Sequence, residues 1–360
     1  MKLTGNKGEW SELYVLIRLL ADGKLLPAND IADSQNLYLP ILRIFRNEDA
    51  AHQVEYRISR QDFIELYLND NFVRKISTVE LSRTAQDFLH AIINGQGEGS
   101  FAIEGAESVM KNLCCQEIKA PSREKADIAM ELHDPFTNFN RICGFSIKSD
   151  LGSAPTLFNA SQATNFKFEV FGVSDEQMQA INSINTNRKV IDRIKRIPEI
   201  KFIEIVDSPR YKDTFAKNLL FVDTQMSIIL AEMLKLFYVK NISACAVLAT
   251  ELEEKDIFGL EVKNLYRHKI KKFLCAVALG FTPTDKWDGT DEANGGYIIV
   301  KESGSVTAYH LYNRDSFETY LLNNTKLETA STGKHKFGSI YVEDGRKFIN
   351  LNLQVRFLSS

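Results

Sequence analysis

The sequence predicts an α+β fold, and three observations carry this prediction. Residues 9–21 repeat apolar side chains at helical spacing and end at an Asp-Gly pair, as a helix does. Residues 126–149 place two apolar runs around a turn-rich segment, which is typical of a β-hairpin. Residues 175–280 are mainly helical in pattern, whereas residues 281–360 return to strands and turns. We therefore expect a helical middle segment between two parts that contain strands.

The chain of 360 residues is long enough for one large or two ordinary domains. The pattern divides it into residues 1–175, a helical segment at 176–280 and a β-rich part at 281–360. One compact domain is the alternative that the pattern leaves open.

Composition excludes several classes of protein. The fractions of apolar and charged residues, 44% and 25%, are those of a soluble globular protein. No apolar run is long enough to span a bilayer, and the N-terminus lacks the apolar core of a signal peptide. We therefore expect a cytoplasmic protein with no membrane partner. The five cysteines lack metal-ligand spacing and the six histidines are scattered, which argues against disulfides and zinc. A net charge of −3 neither supports nor excludes nucleic-acid binding.

The first predicted helix carries an acid on its apolar side. At about 100° per residue, Glu9 falls on the same face as Leu13, Leu16 and Leu20. An acid in a first turn favours the helix dipole, which gives Glu9 a role as a cap. An unpaired carboxylate is expensive in a core, however, and a bound metal ion would offset that cost. Cap and metal ligand both remain open for Glu9.

The segments that follow alternate between the two patterns. Residues 38–44 and 54–58 alternate apolar and polar side chains and predict strands, whereas residues 82–93 and 104–115 predict helices. Residues 166–171 alternate again and predict a further strand.

The hairpin at residues 126–149 brings an acid and a lysine together. Asp127 lies near the start of its first strand and Lys148 near the end of its second, and these ends are neighbours in an antiparallel pair. A carboxylate that holds Mg²⁺ beside a lysine that positions water suits metal-assisted hydrolysis of a phosphodiester. A cross-strand ion pair between the two residues is the structural alternative.

Polar segments flank the hairpin on both sides. Before Asp127 stand Lys119, Ser122 and Lys125, which suit contacts to phosphate or simply a solvated loop. The segment after Lys148 is rich in hydroxyl and amide side chains, which bind phosphates or base edges and are also ordinary turn residues. Its candidates for DNA contacts are Asn159, Ser161, Thr164 and Asn165.

Two basic patches fall on predicted helices of the middle segment. Each suits either a phosphate backbone or a solvated helix face. One consists of Arg188, Lys189, Arg193, Lys195 and Arg196, and the other of Arg267, His268, Lys269, Lys271 and Lys272.

The C-terminal part predicts strands at residues 297–300 and 306–312, a short helix at 316–322, and a hairpin of 339–342 with 348–357. The polar, basic segment 330–337 is expected as a loop between strands. Lysine and arginine can read guanine in the major groove, and glutamine can read adenine. The candidates for such contacts are Thr332, Lys334, His335 and Lys336 in the loop, Gln354 and Arg356 on one strand face, and His310 and Arg314.

Taken together, several stretches of this sequence resemble the HpaII-type restriction endonucleases of bacterial type II restriction–modification systems. No single stretch is diagnostic, but their order and spacing are specific. The stretches are residues 5–12, 119–122, 125–128, 144–149, 157–161, 164–166, 295–301, 309–314 and 351–357.

The resemblance implies a PD-(D/E)xK-like nuclease core, with an α/β core sheet flanked by helices, and Mg²⁺-dependent cleavage of double-stranded DNA. It also implies recognition of 5′-CCGG-3′, cleavage after the first cytosine with two-nucleotide 5′ overhangs, and a cognate methyltransferase without stable contact. Under this resemblance, residues 1–175 are the nuclease core and residues 281–360 contribute to DNA recognition. A homodimer would suit a palindromic site, but one monomer can also cut the strands in turn.

The motif assigns Asp127 as its first acid and Lys148 as its lysine. Ser146 stands where the motif usually has a second acid, and serine is a poor ligand for Mg²⁺. Glu9 is the preferred replacement and Glu169 the next. Less favoured positions are Glu12 as a supporting residue, Asp134 and Glu131.

Two functions of other kinds compete with restriction. A repair or recombination nuclease would read DNA structure instead of sequence. A non-catalytic DNA-binding protein would follow if Ser146 marks an inactive metal site. The sequence does not identify the residues that read bases.

Overall fold

A computed structural model of the protein describes residues 3–27, 38–49, 51–59, 62–95, 99–119, 126–135, 137–152, 154–206, 210–310 and 314–358, with residues 47–49 and 310 described by their backbone. The chain forms two compact units. Unit one comprises the described residues up to Pro155 together with Asp291–Phe317. Unit two comprises Thr156–Thr290 together with Glu318–Leu358.

The described helices confirm most of the helical segments predicted from the sequence, and none of them is long and apolar enough to cross a membrane. The helices are α1 (Lys7–Asp22), α2 (Thr78–Asn94), α3 (Ala106–Asn112), α4 (Asp175–Ser183), α5 (Lys189–Ile194), α6 (Thr214–Val222), α7 (Met226–Lys240), α8 (Cys245–Lys255), α9 (Leu265–Leu279), α10 (Arg314–Asn323) and α11 (Thr332–His335).

The strands mix with these helices as an α+β fold requires. The strands are β1 (Lys24–Pro27), β2 (Leu39–Asp49), β3 (His52–Arg57), β4 (Phe63–Leu68), β5 (Asn71–Ser77), β6 (Ile128–Asp134), β7 (Phe139–Ser149), β8 (Thr156–Phe158), β9 (Asn165–Phe171), β10 (Glu199–Ile205), β11 (Gly296–Val300), β12 (Val306–His310), β13 (Thr325–Leu327), β14 (Ile340–Glu343), β15 (Arg346–Asn352) and β16 (Val355–Phe357).

Unit one is built on a nine-stranded sheet in the order β1-β12-β11-β7-β6-β2-β3-β4-β5. The predicted hairpin is β6 with β7, in a register that pairs Ile128 with Phe145. Side chains alternate across a strand, so Phe145 and Ile147 face the buried core while Ser146 and Lys148 lie on the other face. Ser146 and Lys148 are thus separated from the packing residues of β7 by strand geometry alone.

Helix α1 packs its apolar side into the core of unit one. Asn6 and Glu9 form a capping box at its start, and Gly23 ends it in the left-handed conformation at φ 63°. Trp10 and Tyr14 are fully buried. The hydroxyl of Ser11 contacts that of Ser149 at 2.7 Å, which ties the helix to the end of β7.

The divisions expected near residues 175 and 280 do not coincide with the two units. Strand β11 pairs in parallel with β7, with Tyr297 opposite Ser146, so residues from the C-terminal third complete the sheet of unit one. Gly295 permits this pairing, since a Cβ there would lie 2.6 Å from the Phe145 ring. A parallel pair requires a long crossover, and no local signal in a sequence marks it.

Unit two contains helices α4–α9, a four-stranded sheet in the order β10-β9-β15-β14 and a three-stranded sheet in the order β13-β16-β8. An aromatic cluster fills its core. The Phe158 ring lies 5.7 Å from that of Phe215, 5.8 Å from Phe273 and 6.1 Å from Phe281, measured between centroids. Aromatic pairs at this spacing stabilise a core beyond their burial.

Two predictions for the C-terminal part were wrong in detail. The expected strand at 348–357 breaks after Asn352, because the Leu353 N–H donates to the Thr164 carbonyl and not to a neighbouring strand. Gln354 therefore lies between β15 and β16 and not within one alternating strand. The expected loop at 330–337 contains the one-turn helix α11.

A buried hydrogen bond joins α1 to the turn between β11 and β12, where the Tyr14 hydroxyl donates to the Gly304 carbonyl at 2.5 Å. Tyr14→Phe should lower the free energy of unfolding by about 1 to 3 kcal/mol, because the carbonyl is left buried without a donor. Urea unfolding measures this free energy. The control is Tyr67→Phe, which removes a half-buried hydroxyl that donates to Glu65. An equal loss of unfolding free energy in both variants would contradict the prediction.

Candidate active site

Asp127 is held where β6 begins, directly beside β7. Its backbone N–H donates to the Phe145 carbonyl at 2.9 Å. Its carboxylate oxygen Oδ2 accepts from the Ile147 N–H at 2.6 Å and from the Ser146 hydroxyl at 3.0 Å. Within the described chain no hydrogen bond or ion pair reaches the other oxygen, Oδ1. One oxygen therefore fixes the carboxylate to β7 and the other is available to a ligand.

Lys148 meets Ser146 and not Asp127. Its ammonium donates to the Ser146 Oγ at 3.3 Å and lies 5.3 Å from the centre of the Tyr297 ring. No carboxylate of the described residues lies within ion-pair distance of this ammonium. A simple Asp127–Lys148 ion pair, the structural alternative, is therefore not what the hairpin forms.

Ser146 links the acid and the lysine through one hydroxyl. The hydroxyl donates to Asp127 while it accepts from Lys148, which uses both capacities of the group. Ser146 is 6% exposed, so its hydroxyl is shielded from water, whereas the side chains of Asp127 and Lys148 are half-buried. The residue that departs from the motif thus orders its two neighbours.

Glu9 is engaged at the start of α1. Its carboxylate accepts from the Asn6 N–H at 2.9 Å and pairs with the Lys119 ammonium at 3.1 Å. Burial alone would raise the pKa of Glu9, but the Asn6 N–H and Lys119 outweigh it and lower the pKa. The structure shows no hydrogen bond or ion pair from Glu9 to Asp127 or Lys148 in the part of the chain that it describes.

The other acids considered as ligands also have partners. Glu169 lies on β9 in unit two, where both of its oxygens accept from Arg346. Its hydrogen bonds to Arg346 lower the pKa of Glu169. Glu131 pairs with Arg43, and Asp134 is buried and accepts from the Thr137 hydroxyl at 2.6 Å. Each of these acids is therefore already engaged by another side chain.

The described residues contain no group of three or more His, Cys, Asp or Glu side chains that would hold a metal ion. The donor set still fits a hard cation at Asp127. Mg²⁺ retains several waters in proteins and binds through one or two carboxylates together with phosphate oxygens of the substrate. Asp127 supplies one carboxylate of this kind.

Comparisons with known proteins identify the family of the chain. A model of the HpaII restriction endonuclease family matches residues 6–357. The chain belongs to the HpaII restriction endonuclease family. It is 37% identical over 361 residues to the Type II restriction enzyme HpaII of Haemophilus parainfluenzae, and the match covers 99% of both chains. No solved structure matches the chain.

A buried amide cluster in unit two joins two segments expected to contact DNA in this HpaII-family chain. The Asn165 amide donates to the His335 carbonyl at 2.9 Å. The Asn352 amide donates to the Ser161 carbonyl and to the Asn165 Oδ1, both at 2.7 Å. Thr164, Asn165 and His335 are buried, so their side chains organise these segments and do not form the surface.

The remaining candidates whose side chains the structure describes lie at or near the surface. Asn159, Lys334 and Lys336 are exposed, and Ser161, Thr332 and Gln354 are half-buried. Arg314 is exposed, and its guanidinium lies 3.7 Å from the Asp291 carboxylate. The Arg356 guanidinium donates to the Glu328 carboxylate at 2.9 Å. Ser122 and Lys125 lie outside the described residues, and His310 ends β12 with its side chain undescribed.

Sequence reasoning missed two residues that shape these sites. Tyr297 lies beside the Lys148 ammonium, and Asn352 bridges the segments at residues 161 and 165. Both come from strands more than a hundred residues distant along the chain. No local pattern identifies such a partner in one sequence.

The lowered pKa of Glu9 predicts a pH-dependent contribution to stability. A carboxylate with a lowered pKa stabilises the fold above its unfolded pKa, and this contribution is lost as the pH falls through the folded value. Glu9→Gln should therefore cost up to about 1 kcal/mol at pH 7, since the pair with Lys119 is partly exposed. The deficit should vanish in acid.

Urea unfolding of both proteins between pH 7 and pH 3 measures this difference. Glu80→Gln is the matched control, because Glu80 is an exposed acid in the first turn of α2 and makes no capping bond. A deficit that is the same at every pH would contradict the assignment.

Proposed function

We propose that the chain is a type II restriction endonuclease that makes sequence-specific double-strand breaks in DNA. The observation that carries the proposal is the match to the HpaII family over residues 6–357, with Asp127, Ser146 and Lys148 joined where β6 begins and β7 ends. The proposed target is 5′-CCGG-3′, cut after the first cytosine. The proposed role is defence against foreign DNA beside a cognate methyltransferase.

The proposed core is of the PD-(D/E)xK type. The support is the hairpin of β6 and β7, which carries an acid where its first strand begins and a lysine near the end of its second. Helix α1 packs against the face of this sheet opposite to Ser146 and Lys148, where the Ser11 hydroxyl contacts that of Ser149. Ser146 replaces the usual second acid.

Mg²⁺ is the proposed cofactor, held by the free Oδ1 of Asp127. When bound it supplies positive charge beside the scissile phosphate and makes water more acidic. Glu9 is the preferred second acid, because it lies in unit one with Asp127 and contacts Lys119, eight residues before Asp127 in the sequence, at 3.1 Å. Glu9 must release the Lys119 ammonium before its carboxylate can bind Mg²⁺. Glu169 is the second choice, because Arg346 already neutralises both of its oxygens.

The residues of the chain divide the chemical work. Lys148 places a positive charge where negative charge grows on the attacked phosphate and orients the attacking water. Ser146 fixes the Lys148 ammonium and the Asp127 carboxylate in one geometry before substrate arrives. Such preorganisation avoids a reorganisation cost during the reaction.

A digest tests the activity itself. Unmethylated plasmid DNA incubated with the protein and Mg²⁺ should give discrete fragments whose sequenced ends carry two-nucleotide 5′ overhangs at CCGG. A smear or cutting only at junctions would indicate a structure-reading nuclease. Mg²⁺-independent binding without nicking would indicate a non-catalytic DNA-binding protein.

Substitutions test the assigned residues. Asp127→Asn, Lys148→Ala and Glu9→Gln should each reduce cleavage by at least about a thousandfold, while specific binding of the duplex in Ca²⁺ persists. Lys301→Ala is the matched control for the lysine, because Lys301 is exposed in the turn after β11. Normal plasmid cleavage by Asp127→Asn would refute the site.

Glu169→Gln separates the two candidate acids. If Glu9 is the second acid, Glu169→Gln should cut at a rate within about threefold of the wild type, because its substitution touches only the pair with Arg346. Loss of cleavage by Glu169→Gln with retention by Glu9→Gln would reverse the choice.

A further inference from the structure

Two adjoining cavities in unit two have an unusual charge. Cavities of about 370 and 560 Å³ share Lys189 and Thr332 in their walls. The walls also contain Arg188, Arg193, Lys326 and Lys336, against one acid, Glu328. The whole chain carries a net charge of −3, so this lining departs sharply from the average of the molecule. We call the two cavities together the basic groove.

The positive charge of the groove is largely uncompensated. Lys189, Lys326 and Lys336 have no carboxylate within ion-pair distance among the described residues, whereas Lys240, Lys255 and many other cations of unit two meet one. The one acid of the walls, Glu328, is bound by Arg356 at 2.9 Å. Free cations on a common surface attract a polyanion.

Arg193 places a further charge in the wall. It is 7% exposed, and its guanidinium donates to the carbonyls of Asn182, Ile184 and Gly338 and to the Ser339 hydroxyl at 2.7 to 3.1 Å. None of these partners is charged. A buried cation without a counter-ion is costly, and an anion in the adjoining cavity lowers that cost. Burial accordingly lowers the pKa of Arg193.

The backbone of the groove is built for close packing. Gly338 has φ +80°, and a Cβ at this position would lie 2.7 Å from a methyl group of Val190. The Gly338 N–H donates to the Asn350 carbonyl at 2.9 Å. Because its carbonyl also binds Arg193, one glycine fixes both the guanidinium and the wall that carries Lys336.

We propose that the basic groove of unit two binds the phosphate backbone of DNA through Lys189, Lys326 and Lys336, with Arg193 as a fixed buried charge. This inference rests on the proposed restriction activity and names a contact surface for its substrate. Lysines that meet phosphates carry no sequence information, so the groove sets affinity and position while other residues read bases.

Salt titration of binding tests the groove. The affinity of the full-length protein is measured for two duplexes, one with a CCGG site and a matched one without it. The measurements are made in Ca²⁺ over a range of NaCl concentrations. Each phosphate contact contributes about 0.9 to the slope of log affinity against log salt. Lys189→Ala with Lys336→Ala should lower the slope by about two and weaken both duplexes by a similar factor, about fiftyfold at 0.1 M salt.

Lys263→Ala is the matched control, because Lys263 is an exposed lysine of unit two outside both cavities. Thermal unfolding checks that the double variant is folded, and Lys189→Arg with Lys336→Arg should restore most of the slope. An unchanged slope in the folded double variant would overturn the proposal. So would a loss confined to the CCGG duplex, which would mean that these lysines read bases.

Two further outcomes separate this proposal from others. Inorganic phosphate at millimolar concentration is added during thermal unfolding. If it stabilises the wild type but not the double variant, while the salt slope of DNA binding is the same in both, the groove is a site for free anions and the proposal fails. If the wild type cuts no DNA yet binds both duplexes with the expected slope, the proposed restriction activity fails while the groove stands.

Discussion

The hydrogen bonds that β7 makes to Asp127 are the constraint on which the candidate active site depends. The backbone N–H of Ile147 and the hydroxyl of Ser146 converge on one carboxylate oxygen, and the Asp127 N–H returns to β7 at Phe145. The acid is therefore positioned by main-chain pairing rather than by a flexible side chain alone. Because the register of the hairpin is fixed by the apolar face of the sheet, a slip of one residue would move Lys148 to the core side.

The two units contain different parts of the proposed machinery for sequence-specific cleavage. Unit one contains the acid, the serine and the lysine, and unit two contains the amide cluster and the basic groove. In unit two, Arg193 has no counter-charge and is buried against backbone carbonyls, whereas Lys189, Lys326 and Lys336 have none and line the basic groove. Burial thus distinguishes side chains that organise segments of unit two from those that a ligand could reach.

Local signals explain what the sequence predicted well. Helix α1, its end at Gly23 and the hairpin of β6 with β7 follow from periodicity and turn residues, and the family follows from motifs in order. The partner of β7 was not predictable, since β11 lies across a long crossover. The burial of Asn165 was not predictable either. In a sequence, an asparagine that binds a ligand cannot be distinguished from one that hydrogen-bonds to the protein backbone.

The parallel pairing of β7 with β11 also has a consequence for the order in which the sheet forms during synthesis of the chain. The strand that carries Ser146 and Lys148 has a neighbour on only one side until residues 296–300 have been synthesised, and nearly all of the intervening chain belongs to unit two. Pairing across such a separation is slow relative to local contacts. A nascent chain therefore lacks the finished sheet around Ser146 and Lys148 until residues 296–300 have been synthesised, which delays completion of the proposed site.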